Sequence, residues 1–168
     1  MSTHKGSDDI PPEKEFPKEV SHEELECECC KDPEGFRKRQ KEAMAKYGWV
    51  CHAVYGKNCH PCGANCHTHG ISDTWNHLDF QVVLPIEMEI VHGIFARFVD
   101  KIKDGERFED GDVVKEIIGN DMPVKLIAAA EGDRNVLRII LPDATGNLGP
   151  FFDDLMYAPQ YDEFDHED

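Results

Sequence analysis

The chain has 168 residues, 40% of them hydrophobic, and a formal net charge of -16 at pH 7. This length and apolar content predict a single domain with its own core. The acidic balance argues against binding to nucleic acid or to an anionic membrane surface, and no apolar stretch is long enough to predict a membrane span.

The negative charge is concentrated at the two ends. Residues 1–35 hold 11 acids and 4 bases, residues 139–168 hold 8 acids and no base, and the middle is nearly neutral. We therefore expect an acidic, cysteine-containing N-terminal tail (1–31), a folded domain (32–157) and an acidic C-terminal tail (158–168), with both tails disordered. Such tails favour contact with a basic protein partner.

The N-terminus lacks the apolar run of a secretory leader, so we expect a cytoplasmic protein. The chain has seven cysteines, an odd number. An odd count and a reducing compartment both argue against a framework of disulfides.

The first predicted element is a helix. Asp32 is a suitable N-cap, Pro33 suits the first helical position, and Gly48 suits the end. Strands are predicted over 49–55 and 65–70, the latter with His67 and His69 projecting to the same side.

The second half adds a buried strand (80–84) and a long amphipathic helix that follows Pro85 and ends near Gly105. Two β-type runs, 124–130 and 136–141, are predicted to form a hairpin with a five-residue loop. Together these elements predict an α+β fold, in which an antiparallel or mixed sheet packs against one long helix.

Residues 51–70 contain the most specific chemical signal, with four cysteines and four histidines. Thiolates and neutral imidazoles are the ligands that zinc takes in tetrahedral sites. Cys59 and Cys62 have the spacing of a zinc knuckle, and the further ligands would come from Cys51, Cys66, His67 or His69. Cys27, Cys29 and Cys30 offer another source, and exposed thiols or a redox pair remain as alternatives.

The two histidines of the second strand suggest a different metal site. Together with His77 or Asp79, His67 and His69 would leave an open position for water, as in metal-dependent hydrolases. The alternative is that these histidines are packed side chains bonded to the backbone. Cys66 and His67 are adjacent on a strand and point apart, which argues against a nucleophilic pair.

The middle of the chain, roughly residues 36–145, resembles a bacterial family known as domain of unknown function 4262. The resemblance implies a small α+β domain and carries no catalytic residues over. It rests on short motifs in a fixed order: Tyr47-Gly48-Trp49, His67-Thr68-His69-Gly70-Ile71, Asn76-His77-Leu78-Asp79, Arg107-Phe108, Gly111-Asp112, Pro123-Val124-Lys125 and Leu137-Arg138-Ile139-Ile140-Leu141-Pro142.

The sequence thus favours a metal-binding accessory or regulatory protein, with zinc as the expected ion. A non-enzymatic protein that binds or inhibits a basic partner is the first alternative. A metal-dependent hydrolase using His67, His69 and His77 is the second.

Overall fold

The computed structural model describes residues 32–54 and 65–162. Outside these residues lie the predicted N-terminal tail (1–31), the part of the predicted C-terminal tail (158–168) from residue 163 onward, and the segment with Cys59 and Cys62. The tail boundaries therefore remain predictions.

The described residues form an α+β fold with one six-stranded sheet. The elements in chain order are α1 (Pro33–Tyr47), β1 (Val50–Val54), β2 (Asn65–His69), α2 (Ile71–Trp75), β3 (Asp79–Val82), α3 (Met88–Lys103), β4 (Val113–Val114), β5 (Val124–Glu131), β6 (Arg134–Ile140) and a 3₁₀ segment (Leu155–Tyr161). In the described ranges, no helix is both long and apolar enough to cross a bilayer.

The sheet is mixed, with strand order β1-β2-β3-β6-β5-β4. Every neighbouring pair is antiparallel except β3 and β6, which run parallel. The expected hairpin of β5 and β6 is present, but its loop is shorter than predicted, because Glu131 already pairs with Arg134.

Helix α3 covers one face of the sheet and forms the core with it. Phe80 stacks on Phe98 with ring centroids 4.7 Å apart. Six residues of α3 are buried at the spacing of one helical face, as the sequence predicts: Val91, Ile94, Phe95, Phe98, Val99 and Ile102.

Helix α1 begins and ends as predicted. The Asp32 side chain accepts a hydrogen bond from the Gly35 amide, and Gly48 ends the helix in the left-handed conformation. At 15 residues α1 is nearly as long as the 16 residues of α3, so the expectation of one long helix is too narrow. No residue of α1 is buried, so this helix is only lightly packed on the body.

The C-terminal segment binds back to the sheet through Arg138. The Arg138 guanidinium donates to the carbonyls of Gln160 at 3.0 Å and Asp162 at 2.6 Å. The Gln160 side chain in turn bonds the backbone of Leu141 in both directions. Residues 160–162 are thereby fixed against β6.

Gly70 connects the strand that carries His67 and His69 to α2 and packs against the C-terminal end of α1, so we expect its replacement by alanine to be costly. Its φ is +98°, and a Cβ there would meet the Met44 sulfur and lie 2.7 Å from the Gly48 carbonyl oxygen. Gly105 has the same φ with open space around it, and so isolates the backbone cost. We expect Gly105→Ala to cost about 1–2 kcal/mol and Gly70→Ala roughly 1–3 kcal/mol more, by chemical denaturation. Equal losses of stability in the two variants would show that contact of the new Cβ with Met44 and Gly48 does not destabilise the protein.

Candidate metal centre

Three histidines meet on the sheet face opposite α3. The antiparallel pairing of β1 and β2 places His52 directly across from His67, and Val50 across from His69. Since directly paired residues and alternate residues of a strand share a face, His52, His67 and His69 project to the same side.

The three imidazoles are close enough to share one ion. One ring nitrogen from each lies within 4.8 Å of those of the other two. The ring centroids are 5.2 Å apart for His52 and His67 and 4.8 Å apart for His67 and His69. Nitrogens bound tetrahedrally to zinc are about 3.4 Å apart, so small side-chain rotations would complete the geometry.

His67 is the most buried of the three, with 2% of its surface exposed. Its Nδ1 is buried without a hydrogen-bond partner among the described residues. Its Nε2 lies 3.7 Å from a carboxylate oxygen of Glu131. A buried nitrogen without a partner costs free energy, and a bound ion would supply the missing interaction.

Glu131 is held in place by Arg134. The Arg134 Nε donates to Glu131 at 2.6 Å, and its two terminal nitrogens reach the Asp79 carboxylate at 3.3 Å and the Thr68 carbonyl at 2.7 Å. Burial alone would raise the pKa of Glu131, but the Arg134 hydrogen bond and the neighbouring His67 outweigh it and lower this pKa. The site therefore has an ionised carboxylate beside its buried histidine.

Burial lowers the pKa of all three histidines. For His67 the pKa falls to about 4, because burial, His69, Arg134 and His52 together outweigh the attraction of Glu131. Burial also lowers the pKa of His52 and of His69. The rings are therefore neutral at pH 7, which is the form that binds metals.

The sequence comparison bears on the same part of the chain. Residues 43–148 match the family model described as Domain of unknown function (DUF4262). The chain belongs to this family. No curated protein and no solved structure is significantly similar to it. The DUF4262 match contains all three histidines, together with Glu131 and Arg134.

The structure brings together two of the predicted ligands of this DUF4262 domain, His67 and His69. Cys51 and Cys66 lie on the other face, toward α3, where the Cys66 thiol contacts the Met88 sulfur at 3.3 Å. Burial raises the pKa of Cys51 to about 12 and that of Cys66 to about 11. Both thiols are therefore protonated and turned away from the histidines.

His77 does not join the cluster. Its Nδ1 lies 2.8 Å from the Leu78 carbonyl, and its Nε2 accepts from the Phe108 amide at 3.0 Å. Both ring nitrogens of His77 thus interact with the backbone. His77 is therefore a packed side chain bonded to the backbone rather than a member of the cluster. Cys59 and Cys62, like Cys27, Cys29 and Cys30, lie outside the described residues, so their metal role stays a prediction.

Sequence reasoning missed His52, Glu131 and Arg134 as members of the site. His52 was visible as the alternate residue of a predicted strand, but its partner depends on the register with β2. Glu131 and Arg134 belong to the five-residue loop that the sequence predicts between the last two strands. Only their pairing at the end of the β5–β6 hairpin directs them toward the histidines.

The lowered pKa of His67 predicts a pH-dependent stability for the metal-free protein. Below pH 6.5 the unfolded chain takes up a proton on this residue, while the folded protein does so only near pH 4. The free energy of unfolding should therefore fall between pH 6.5 and 4, by on the order of 1–3 kcal/mol. The lowered pKa of Glu131 adds to this fall at the acidic end of the range.

Urea denaturation at several pH values measures this dependence. His67→Asn removes the titrating ring, so its stability should change less over the same pH range. An equal slope in the two proteins would assign the dependence to other groups.

Proposed function

We propose that this protein binds a divalent transition-metal ion, with zinc foremost, through His52, His67 and His69. The observation that carries this proposal is the convergence of the three imidazoles, with one ring nitrogen from each within 4.8 Å of the others. The buried, unpartnered Nδ1 of His67 supports it. Neutral imidazoles suit zinc, copper and nickel better than magnesium or calcium.

Glu131 has the position of a supporting carboxylate. It faces the Nε2 of His67, which leaves Nδ1 as the nitrogen directed to the ion. Metal-binding histidines commonly donate their second ring N–H to a carboxylate, which fixes the tautomer and the ring orientation. Arg134 would hold Glu131 in that arrangement through its 2.6 Å hydrogen bond.

Metal-dependent hydrolysis is a second candidate function. Among the described residues, three ligand groups converge, and three protein ligands with an open fourth position are typical of catalytic zinc sites. This candidate keeps the reaction class that the sequence suggested for His67, His69 and His77, with His52 in the place of His77. Hydrolysis of nitrophenyl esters by zinc-loaded protein, compared with His67→Ala, tests this candidate.

The accessory or regulatory role, the cytoplasmic location and the basic partner that the sequence suggests are part of the same proposal. An accessory or regulatory role in the cytoplasm would fit a metal site on a small domain. Binding of a basic partner rests on the acidic ends, which lie largely outside the described residues.

Metal content tests the proposed function directly. The full chain, stripped with a chelator and dialysed against zinc, should retain about one equivalent by elemental analysis and bind it in calorimetric titration. A Cys59→Ser and Cys62→Ser double variant should retain the same equivalent. Loss of zinc from that variant would move the site to the cysteine segment, and no zinc in the unaltered chain would reject the proposal.

A further inference from the structure

Two cavities lie between α1 and the sheet, and one of them reaches the histidine cluster. The first, of about 470 Å³, has His69, Val50 and Met44 in its wall, together with Arg37 and Lys41 from α1. His69 thus belongs to both the metal cluster and this cavity. A cavity of this volume is in the range of small-molecule sites.

The second cavity, of about 490 Å³, adjoins the first, since Gln40 and Val50 line both. Its wall includes the aromatic residues Phe36, Tyr47 and Trp49, together with Arg39. Trp49 is stacked on His92 with ring centroids 5.1 Å apart. The paired cavities therefore have an aromatic end, which Arg39 also lines, and an end with Arg37 and Lys41 beside His69.

The light packing of α1 explains why this space exists. No side chain of the helix is buried, although its C-terminal end is fixed where Thr74 donates to the Gly48 carbonyl at 2.6 Å. The helix is anchored at that end, and near its other end the ring of Phe36 lies 6.3 Å from that of His52, centroid to centroid.

We infer that the paired cavities bind a small organic anion with an apolar body, whose charged group lies beside His69 and takes the remaining position on the metal. Arg37 and Lys41 supply charge complementarity, and no carboxylate lines either cavity in the part of the chain that the structure describes. The apolar body would occupy the aromatic end. This inference rests on the proposed metal site for the place of the anionic group.

Calorimetric titration with 4-phenylbutyrate tests the inference on the full chain, with and without zinc. Phenylbutyrate should bind, and at least tenfold more tightly to the zinc-loaded protein. The neutral 4-phenylbutanamide, with the same body, and acetate, with the same charge, should each bind at least tenfold more weakly than phenylbutyrate.

The helix itself offers a matched control. An Arg37→Gln and Lys41→Gln double variant should weaken phenylbutyrate binding about tenfold and leave zinc affinity unchanged. Lys38→Gln removes an exposed positive charge from the same helix, outside the walls of both cavities, and should change neither.

The outcomes separate the two proposals. Zinc binding without phenylbutyrate binding, or equal binding of acid and amide, overturns this inference and leaves the metal site standing. The inference is also overturned if the Arg37→Gln and Lys41→Gln double variant binds phenylbutyrate as tightly as Lys38→Gln does. A protein that binds no zinc overturns the proposed function, and with it the zinc-enhanced binding inferred here.

Discussion

Replacing His67 with alanine should lower zinc affinity by roughly 10³-fold or more, the largest functional effect that we expect from a single substitution. His67 is the buried member of the cluster, and its unpartnered Nδ1 is the nitrogen that we assign to the ion. Two half-buried imidazoles would remain, which is too few ligands to hold zinc against chelation. Competition with a chromophoric chelator measures the change.

Three further variants make this result specific. His69→Ala removes a less buried ligand and should weaken zinc binding comparably with less effect on the fold. Glu131→Gln keeps the shape of the supporting side chain and should cost about 10–100-fold. His92→Ala removes an exposed histidine of α3 that lies outside the cluster, and should change zinc affinity less than twofold.

The comparison also covers the risk that His67→Ala merely unfolds the protein. Its melting curve without metal should stay cooperative, since the lost ring also removes a buried nitrogen that has no partner. If His69→Ala and His67→Ala both bind zinc as the unaltered chain does, the three imidazoles do not form the site.

Local signals in the sequence were enough to place α1, α3 and most strands. Asp32, Pro33 and Gly48 mark the bounds of α1 because capping and left-handed backbone depend on residues a few positions apart. The shared face of His67 and His69 follows from strand alternation alone. These features need no knowledge of what lies across the sheet.

The rest of the site depends on contacts between distant residues. His52 meets His67 only through the register of β1 with β2, and the segment between these strands has too many turn residues to fix a register. Arg134 belongs to the five-residue stretch that the sequence predicts as a loop because it contains Gly132. In the fold it extends β6, where Asp79, Glu131 and the Thr68 carbonyl satisfy its guanidinium.

How closely α1 packs on the sheet also could not be predicted from the spacing of its apolar residues. Phe36, Ala43, Met44 and Tyr47 recur at helical spacing and predict an apolar face against the core. Tyr47 is instead 55% exposed, and all four of these residues line the cavities rather than fill them. Periodicity gives the direction of a helix face but not how closely the helix packs.

Asp79→Ala should reduce the free energy of unfolding by about 3–5 kcal/mol. Asp79 is 3% exposed and accepts hydrogen bonds from the Thr68 hydroxyl at 2.7 Å and from the Ile71 amide at 3.2 Å. It also pairs with Arg134 at 3.3 Å. Alanine would leave a buried hydroxyl, a buried amide and part of a guanidinium charge without their acceptor.

The charge and the hydrogen bonds of Asp79 are separable. Asp79→Asn keeps one acceptor oxygen for Thr68 but removes the charge that faces Arg134, so we expect a smaller loss of about 2–3 kcal/mol. Asp73→Ala removes an exposed acid from the nearby short helix α2 and should stay within about 0.5 kcal/mol of the unaltered chain. Urea denaturation, with midpoint and slope compared across the three variants, provides the measurement.

Replacing Asp79 should also weaken zinc binding, because Arg134 contacts both Asp79 and Glu131. Without Asp79 the Arg134 side chain loses one of its three anchors and holds Glu131 less firmly against His67. Zinc affinity should therefore fall about tenfold in Asp79→Asn, the variant expected to stay folded, and remain unchanged in Asp73→Ala. A destabilised Asp79→Asn with full zinc affinity would show that Asp79 supports the fold alone and that Glu131 is positioned without it.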